Sequence, residues 1–98
     1  MRRAAKVDKN QAEIVAALRA MGATVQPLHA VGRGCPDLLA GWRGKNVLIE
    51  IKDGSAPQSD RTLTPAQVEW HGGWKGQVAI AETVSDALEI MRGKAHEI

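Results

Sequence analysis

Apolar residues recur along this chain at two spacings, and the spacings divide it into helices and strands. Over residues 8–22, Ile14, Val15, Leu18 and Met21 stand three and four apart, which predicts a helix with one apolar face. Asn10 and Glu13 have capping-box spacing at its start, and Gly22 supplies a stop. Residues 24–28 are β-prone. Gly32, Gly34 and Pro36 make residues 30–36 a loop. Residues 37–42 and 47–52 read as two strands, and Arg43-Gly44-Lys45-Asn46 between them is turn chemistry, so a hairpin is expected. Residues 53–63 are polar and read as a loop of a length that is usually functional or mobile. Thr64 then N-caps a helix, with Pro65 in the first turn, Gln67 completing a capping box and Gly72-Gly73 ending it. Residues 77–81 form a strand. Thr83 caps a last helix with Val84, Ala87, Leu88 and Met91 on one face and Gly93 as its stop. This order predicts an α/β or α+β sandwich, a mixed sheet with helices packed on it.

The hairpin collects chemistry. Strand residues two apart point to the same face. Val47, Ile49 and Ile51 therefore share one face, and Leu48, Glu50 and Lys52 share the other. A four-residue turn over 43–46 pairs Trp42 with Val47, Asp37 with Lys52 and Leu39 with Glu50. Asp37 is then the diagonal neighbour of Glu50, with Cα atoms roughly 7–8 Å apart. Two carboxylates at that separation can share one hard cation. An odd-length turn would flip the parity and separate them. The opposite face, with Leu38, Ala40, Trp42, Val47, Ile49 and Ile51, is apolar and needs a helix or a second subunit to cover it.

Composition and charge narrow the classes. The 98 residues carry 13 Lys+Arg and 11 Asp+Glu, a net +2, with 44% apolar and 24% charged residues. That is an ordinary globular balance, and the length predicts a single domain over residues 1–98, with residues 1–7 as a basic N-terminal arm. No apolar run approaches the ~18 residues of a membrane span, and no apolar stretch follows the basic N-terminus as a signal peptide requires. A cytoplasmic protein is expected. The single cysteine, Cys35, excludes a disulfide framework and a thiolate zinc site. With no Tyr and no Phe, the three tryptophans are the only large aromatics. Such a thin core predicts help from an oligomer or a ligand.

The ordered residues are recognisable. Gly34-Cys35-Pro36-Asp37, followed by Glu50-Ile51-Lys52, resembles the PD-(D/E)xK nuclease signature. Gln11 to Leu18, Gly32 to Leu39, Asn46 to Gly54 and Leu63-Thr64-Pro65-Ala66-Gln67 with Trp70 and Trp74-Lys75-Gly76 resemble a small stand-alone VRR-NUC domain of bacterial or phage type. The resemblance spans about residues 8–90. It implies a restriction-endonuclease-like PD-(D/E)xK core and a metal-dependent DNA endonuclease. Small stand-alone members of the family are similar to homodimeric Holliday-junction resolvases, so branched or four-way-junction DNA is the implied partner. The resemblance makes Asp37 and Glu50 the acids for Mg²⁺ or Mn²⁺, with the Ile51 carbonyl as a backbone ligand. It makes Lys52 the lysine that orients the attacking water, Glu13 the acid of the first helix, and Gln67 the glutamine that points into the site. Those residue types suit in-line phosphodiester hydrolysis. Arg2, Arg3, Lys6, Arg33 and Arg61 are candidate DNA contacts.

Plainer readings stand beside these. Glu13 can be only a cap partner for Asn10, and Gln67 only a cap partner for Thr64. Glu50 and Lys52 can be a structural ion pair on a solvated edge. The N-terminal basic residues can be a solvated tail. The histidines have no zinc spacing. Cys35 reads as a packed thiol, and Trp70 and Trp74 as core or dimer packing, with base stacking as the other use. Taken together, these plainer readings describe a non-catalytic DNA-binding module with structural acids.

Overall fold

The structure is a computed structural model and describes residues 8–93. It has the elements α1 (Gln11–Ala20), β1 (Thr24–Pro27), β2 (Leu38–Trp42), β3 (Lys45–Ile51), α2 (Gln58–Arg61), α3 (Pro65–Gly73), β4 (Val78–Ala81) and α4 (Val84–Met91). The four strands form one mixed sheet in the order β1-β2-β3-β4. The first three are antiparallel neighbours, and β4 runs parallel to β3. A parallel neighbour requires a crossover, and α2 and α3 supply it.

The apolar hairpin face is the core. Leu38, Ala40, Val47, Ile49 and Ile51 pack with Ile14 and Leu18 of α1 and with Ala87, Ile90 and Met91 of α4. Helices therefore cover that face. α3 lies over the other face, where Glu50 and Lys52 emerge.

The β2–β3 turn is tighter than the sequence suggests. Trp42 pairs with Lys45, so only Arg43 and Gly44 form the turn. Both have positive φ, 50° and 79°, as a two-residue hairpin turn of the mirror-image type requires. Arg43 tolerates this with its guanidinium over the Trp42 ring, 4.3 Å from the centroid. Lys45 and Asn46 join the strand, and the register slips by two residues from the expected pairing. A slip of two keeps every side chain on its predicted face. It also moves Asp37 from opposite Lys52 to opposite Glu50, one step beyond the Leu38–Ile49 pair.

Two local expectations change. Asn10 forms no side-chain cap on α1. Its Nδ2 instead donates to the carbonyls of Lys52 and Glu82, both at 3.1 Å, tying the start of α1 to the ends of β3 and β4. The polar stretch after β3 is not all loop, because it contains α2. The caps on α3 and α4 form as expected, through Thr64 and Thr83.

Candidate active site

β3, α2, α3 and the segments just before α1 and β2 bring the site together. β3 alternation sends Glu50 and Lys52 toward α3, and both are buried. Asp37 immediately precedes β2, and its Oδ2 accepts a 2.7 Å hydrogen bond from the Ile51 backbone N–H. That bond fixes the aspartate beside Glu50. Together with Asp8, Ser59, Asp60, Thr62, Thr64 and Gln67, these residues line a cleft of about 350 Å³.

The loop before Asp37 is held close to α3. Gly34 has a φ of 84°, and a Cβ there would collide with the Ala66 carbonyl. Only glycine lets the Pro36-Asp37 segment approach the first turn of α3 this closely. Arg33, between two glycines of positive φ, is itself left-handed with φ 60°.

Gln67 makes both of the contacts weighed in the sequence. Its backbone N–H donates to Thr64 Oγ1 at 3.2 Å, and its Oε1 accepts from the Thr64 N–H at 2.9 Å. The same Oε1 accepts from Lys52 Nζ at 2.8 Å, and Nε2 donates to Glu50 Oε2 at 3.2 Å. The capping box therefore sets the side-chain position from which Gln67 reaches the strand.

The electrostatics are those of two acids forced together. Burial, then the Asp37 charge and a hydrogen bond with the Asp37 side chain, push the Glu50 carboxyl up to about 9, with Asp8 adding to the shift and Lys52 opposing it. Glu50 is 2% exposed, and Lys52 Nζ lies 4.0 Å from its Oε2. This is not an ion pair on a solvated edge, because β3 is an interior strand. His71 is also buried here, with Nε2 3.7 Å from Glu50 Oε1. Burial and Lys52 lower its pKa, and Asp37 opposes them. Cys35 is half-buried, and burial, Glu50 and Asp37 raise its pKa, which suits a packed thiol rather than a nucleophile.

Among the described residues, no three His, Cys, Asp or Glu side chains converge as a metal cage. The candidate donors are the Asp37 and Glu50 carboxylates and the Ile51 backbone carbonyl. That all-oxygen set fits Mg²⁺ or Mn²⁺, which keep waters and take substrate phosphate as further ligands. The Glu50 Oε1 atom is buried without a hydrogen-bond partner. A divalent cation is the charge that would let both acids ionise side by side.

Comparison with known proteins gives one informative likeness. No family model matches the chain, and no curated protein matches it. A solved structure described as a VRR_NUC domain superimposes with a TM-score of 0.64 at 24% identity, covering 85% of this chain and 90% of that one. The fold is that of a VRR_NUC domain. Within this VRR_NUC fold, Asp37, Glu50, Lys52 and Gln67 come together, and the Ile51 backbone lies beside them.

Glu13 does not join them. It is exposed on α1 and lines a separate pocket with Lys9, Asn10, Asp53, Gly54, Ser55, Glu82 and Thr83. α1 starts at Gln11 and packs on the opposite face of the sheet, so its first turn does not reach the cleft. Asp8, ahead of the helix, lines the cleft instead. The sequence reading placed Asp8 inside the helix and so missed it. Arg61 turns inward: Nε donates to the Ala56 carbonyl at 2.9 Å and Nη1 pairs with Glu82 Oε1 at 3.4 Å. It clamps the α2 segment rather than facing outward. Arg33 stays exposed. Arg2, Arg3 and Lys6 lie outside the described residues. His71 was missed as a site residue, although it stands one helical turn after Gln67, a spacing that puts both on one face.

Proposed function

We propose that this chain is a Mg²⁺- or Mn²⁺-dependent DNA endonuclease that hydrolyses phosphodiester bonds in branched DNA as a homodimer. The observation that carries the reading is the pairing of Asp37 with Glu50 across the hairpin, beside Lys52 and Gln67 in an open cleft. The likeness to a VRR_NUC domain supports it. Asp37, Glu50 and the Ile51 carbonyl would hold the cation, which supplies Lewis acidity and a lowered pKa for a bound water. Lys52 is a hydrogen-bond donor within the cleft. Its Nζ donates to Gln67 Oε1, and turning that donor to the attacking water and a phosphate oxygen steadies the charge developing in the transition state. Gln67 holds Lys52 and Glu50 at a fixed separation. Exposed Arg33 is the DNA contact nearest to Asp37 in sequence, and Arg2, Arg3 and Lys6, outside the described residues, would add to the DNA contacts.

The homodimer belongs to the same reading. Leu39 and Trp74 are 38% and 45% exposed and flank an apolar groove floored by Leu48. A second copy of the chain covering that groove would complete the thin core and present two sites for paired cuts.

The test is incubation of the purified protein with mobile four-way junctions and with plain duplex, with and without Mg²⁺. Paired symmetric nicks are expected on the junction only with the metal, and Asp37→Ala is expected to abolish them. If no substrate is cut, or Asp37→Ala cuts like the parent, the enzyme reading fails. Tight DNA binding that is unaffected by Glu50→Gln, without cleavage, would make the chain a binding module.

A further inference from the structure

His71 is the one buried ionisable side chain at this site to which the proposed chemistry gives no task. Gln67 and His71 stand four residues apart on α3, so their side chains leave the same face of the helix. Both meet Glu50. Gln67 Nε2 donates to Oε2 at 3.2 Å, and His71 Nε2 faces the other oxygen, Oε1, at 3.7 Å. Glu50 Oε1 and both His71 ring nitrogens are buried with no hydrogen-bond partner. The His71 side chain is 1% exposed, so bulk solvent does not serve them. Buried polar atoms in folded proteins are nearly always paired, and a small closure of this one contact pairs two of the three. The imidazole is braced from its own helix: the Trp70 ring meets it edge-on at 6.0 Å and 72°, and Trp70 stacks on Trp74 at 4.8 Å.

We propose that His71 is a positioning residue, its Nε2–H donating to Glu50 Oε1 so that one face of α3 grips both oxygens of the carboxylate. This rests on the reading of Glu50 as a metal-holding acid. An imidazole carries at least one N–H in either protonation state, so the role needs only the Nε2–H tautomer. A carboxylate held at both oxygens keeps one orientation toward Asp37, and partners of that kind typically change metal affinity or activity about 10–100-fold. The Trp70–Trp74 stack then holds the histidine ring.

Two measurements test this. Mn²⁺ binding in the absence of DNA, followed by calorimetry, compares the full chain with His71→Leu, which keeps bulk and loses the donor, and with His71→Gln, which keeps an amide donor. His71→Leu is expected to weaken Mn²⁺ binding about 10–100-fold, and His71→Gln to recover most of the loss. Equal affinity in all three would overturn the proposal. Nitrogen-15 NMR of the unsubstituted protein with Mg²⁺ needs no variant to fold. It is expected to show His71 protonated at Nε2, and a ring protonated only at Nδ1 would overturn the proposal. If the unsubstituted protein itself neither binds Mn²⁺ nor cuts DNA, the metal-nuclease reading fails and takes this role with it. If only the variants match the parent, the nuclease reading stands and the role of His71 alone is lost.

Discussion

At the scale of single residues, Glu50 couples stability to pH and to metal. Its carboxyl titrates near 4.5 in an unfolded chain and is raised to about 9 in the fold. The folded state therefore holds a proton that the unfolded state has lost, and stability falls as pH rises through that window. His71 is shifted the other way, from 6.5 downward, so it adds no slope well above that value. Between about pH 7 and 9 the slope is mainly that of Glu50, at most about 1.4 kcal/mol per pH unit, and the raised Cys35 thiol adds a slope of the same sign only as pH approaches 9. The metal-free protein is expected to melt several degrees lower at pH 9 than at pH 7. Glu50→Gln removes most of that difference, and Mg²⁺ does so in the parent by favouring the ionised carboxylate. A flat melting profile in the metal-free parent would contradict the raised carboxyl.

At the scale of elements, α3 carries both a cap and the site, and the two are separable by substitution. Thr64→Ala removes one half of the capping box and is expected to cost about 1 kcal/mol, measured by urea unfolding. Gln67→Ala removes the other half and also the bonds to Lys52 and Glu50. It is expected to lower cleavage much more than Thr64→Ala does at similar stability. Equal losses from the two would mean that Gln67 acts only as a cap. Gly34 is where the loop meets α3. Gly34→Ala forces a side chain into a left-handed position and against the Ala66 carbonyl. It is expected to destabilise by more than the about 1–2 kcal/mol of the backbone term alone, with a matching loss of cleavage as α3 is displaced from Asp37.

At the scale of the whole molecule, charge and apolar surface are unevenly shared. Residues 1–62 hold 10 basic and 6 acidic side chains, a net +4, and residues 63–98 hold 3 and 5, a net −2. A cation held by Asp37 and Glu50 would make the first part more basic still, as the proposed DNA substrate favours. The groove between Leu39 and Trp74 is the expected dimer face. Light scattering is expected to give a dimer for the parent and a monomer for the double variant Leu39→Asp/Trp74→Asp. Loss of paired nicking should accompany the monomer. A monomeric parent in DNA-binding conditions would count against junction resolution.

The sequence by itself determined the strands, the helices other than α2, and their faces. Strand alternation put Glu50 and Lys52 on one face and Ile49 and Ile51 on the other, whatever the turn, so long as its length was even. The Thr64–Gln67 box was legible because capping is local chemistry. Tertiary structure decided what local pattern leaves open. The two-residue turn, favoured by the positive φ of Arg43 and Gly44, set Asp37 against Glu50 rather than Lys52. Packing of α1 on the far face of the sheet kept Glu13 away and brought Asp8 in. Arg61 was drawn inward by Glu82, a partner 21 positions along the chain. His71 was hidden because its significance lies in what it faces. Spacing from Gln67 gives the helix face, but only the docking of α3 on β3 puts Glu50 in front of it.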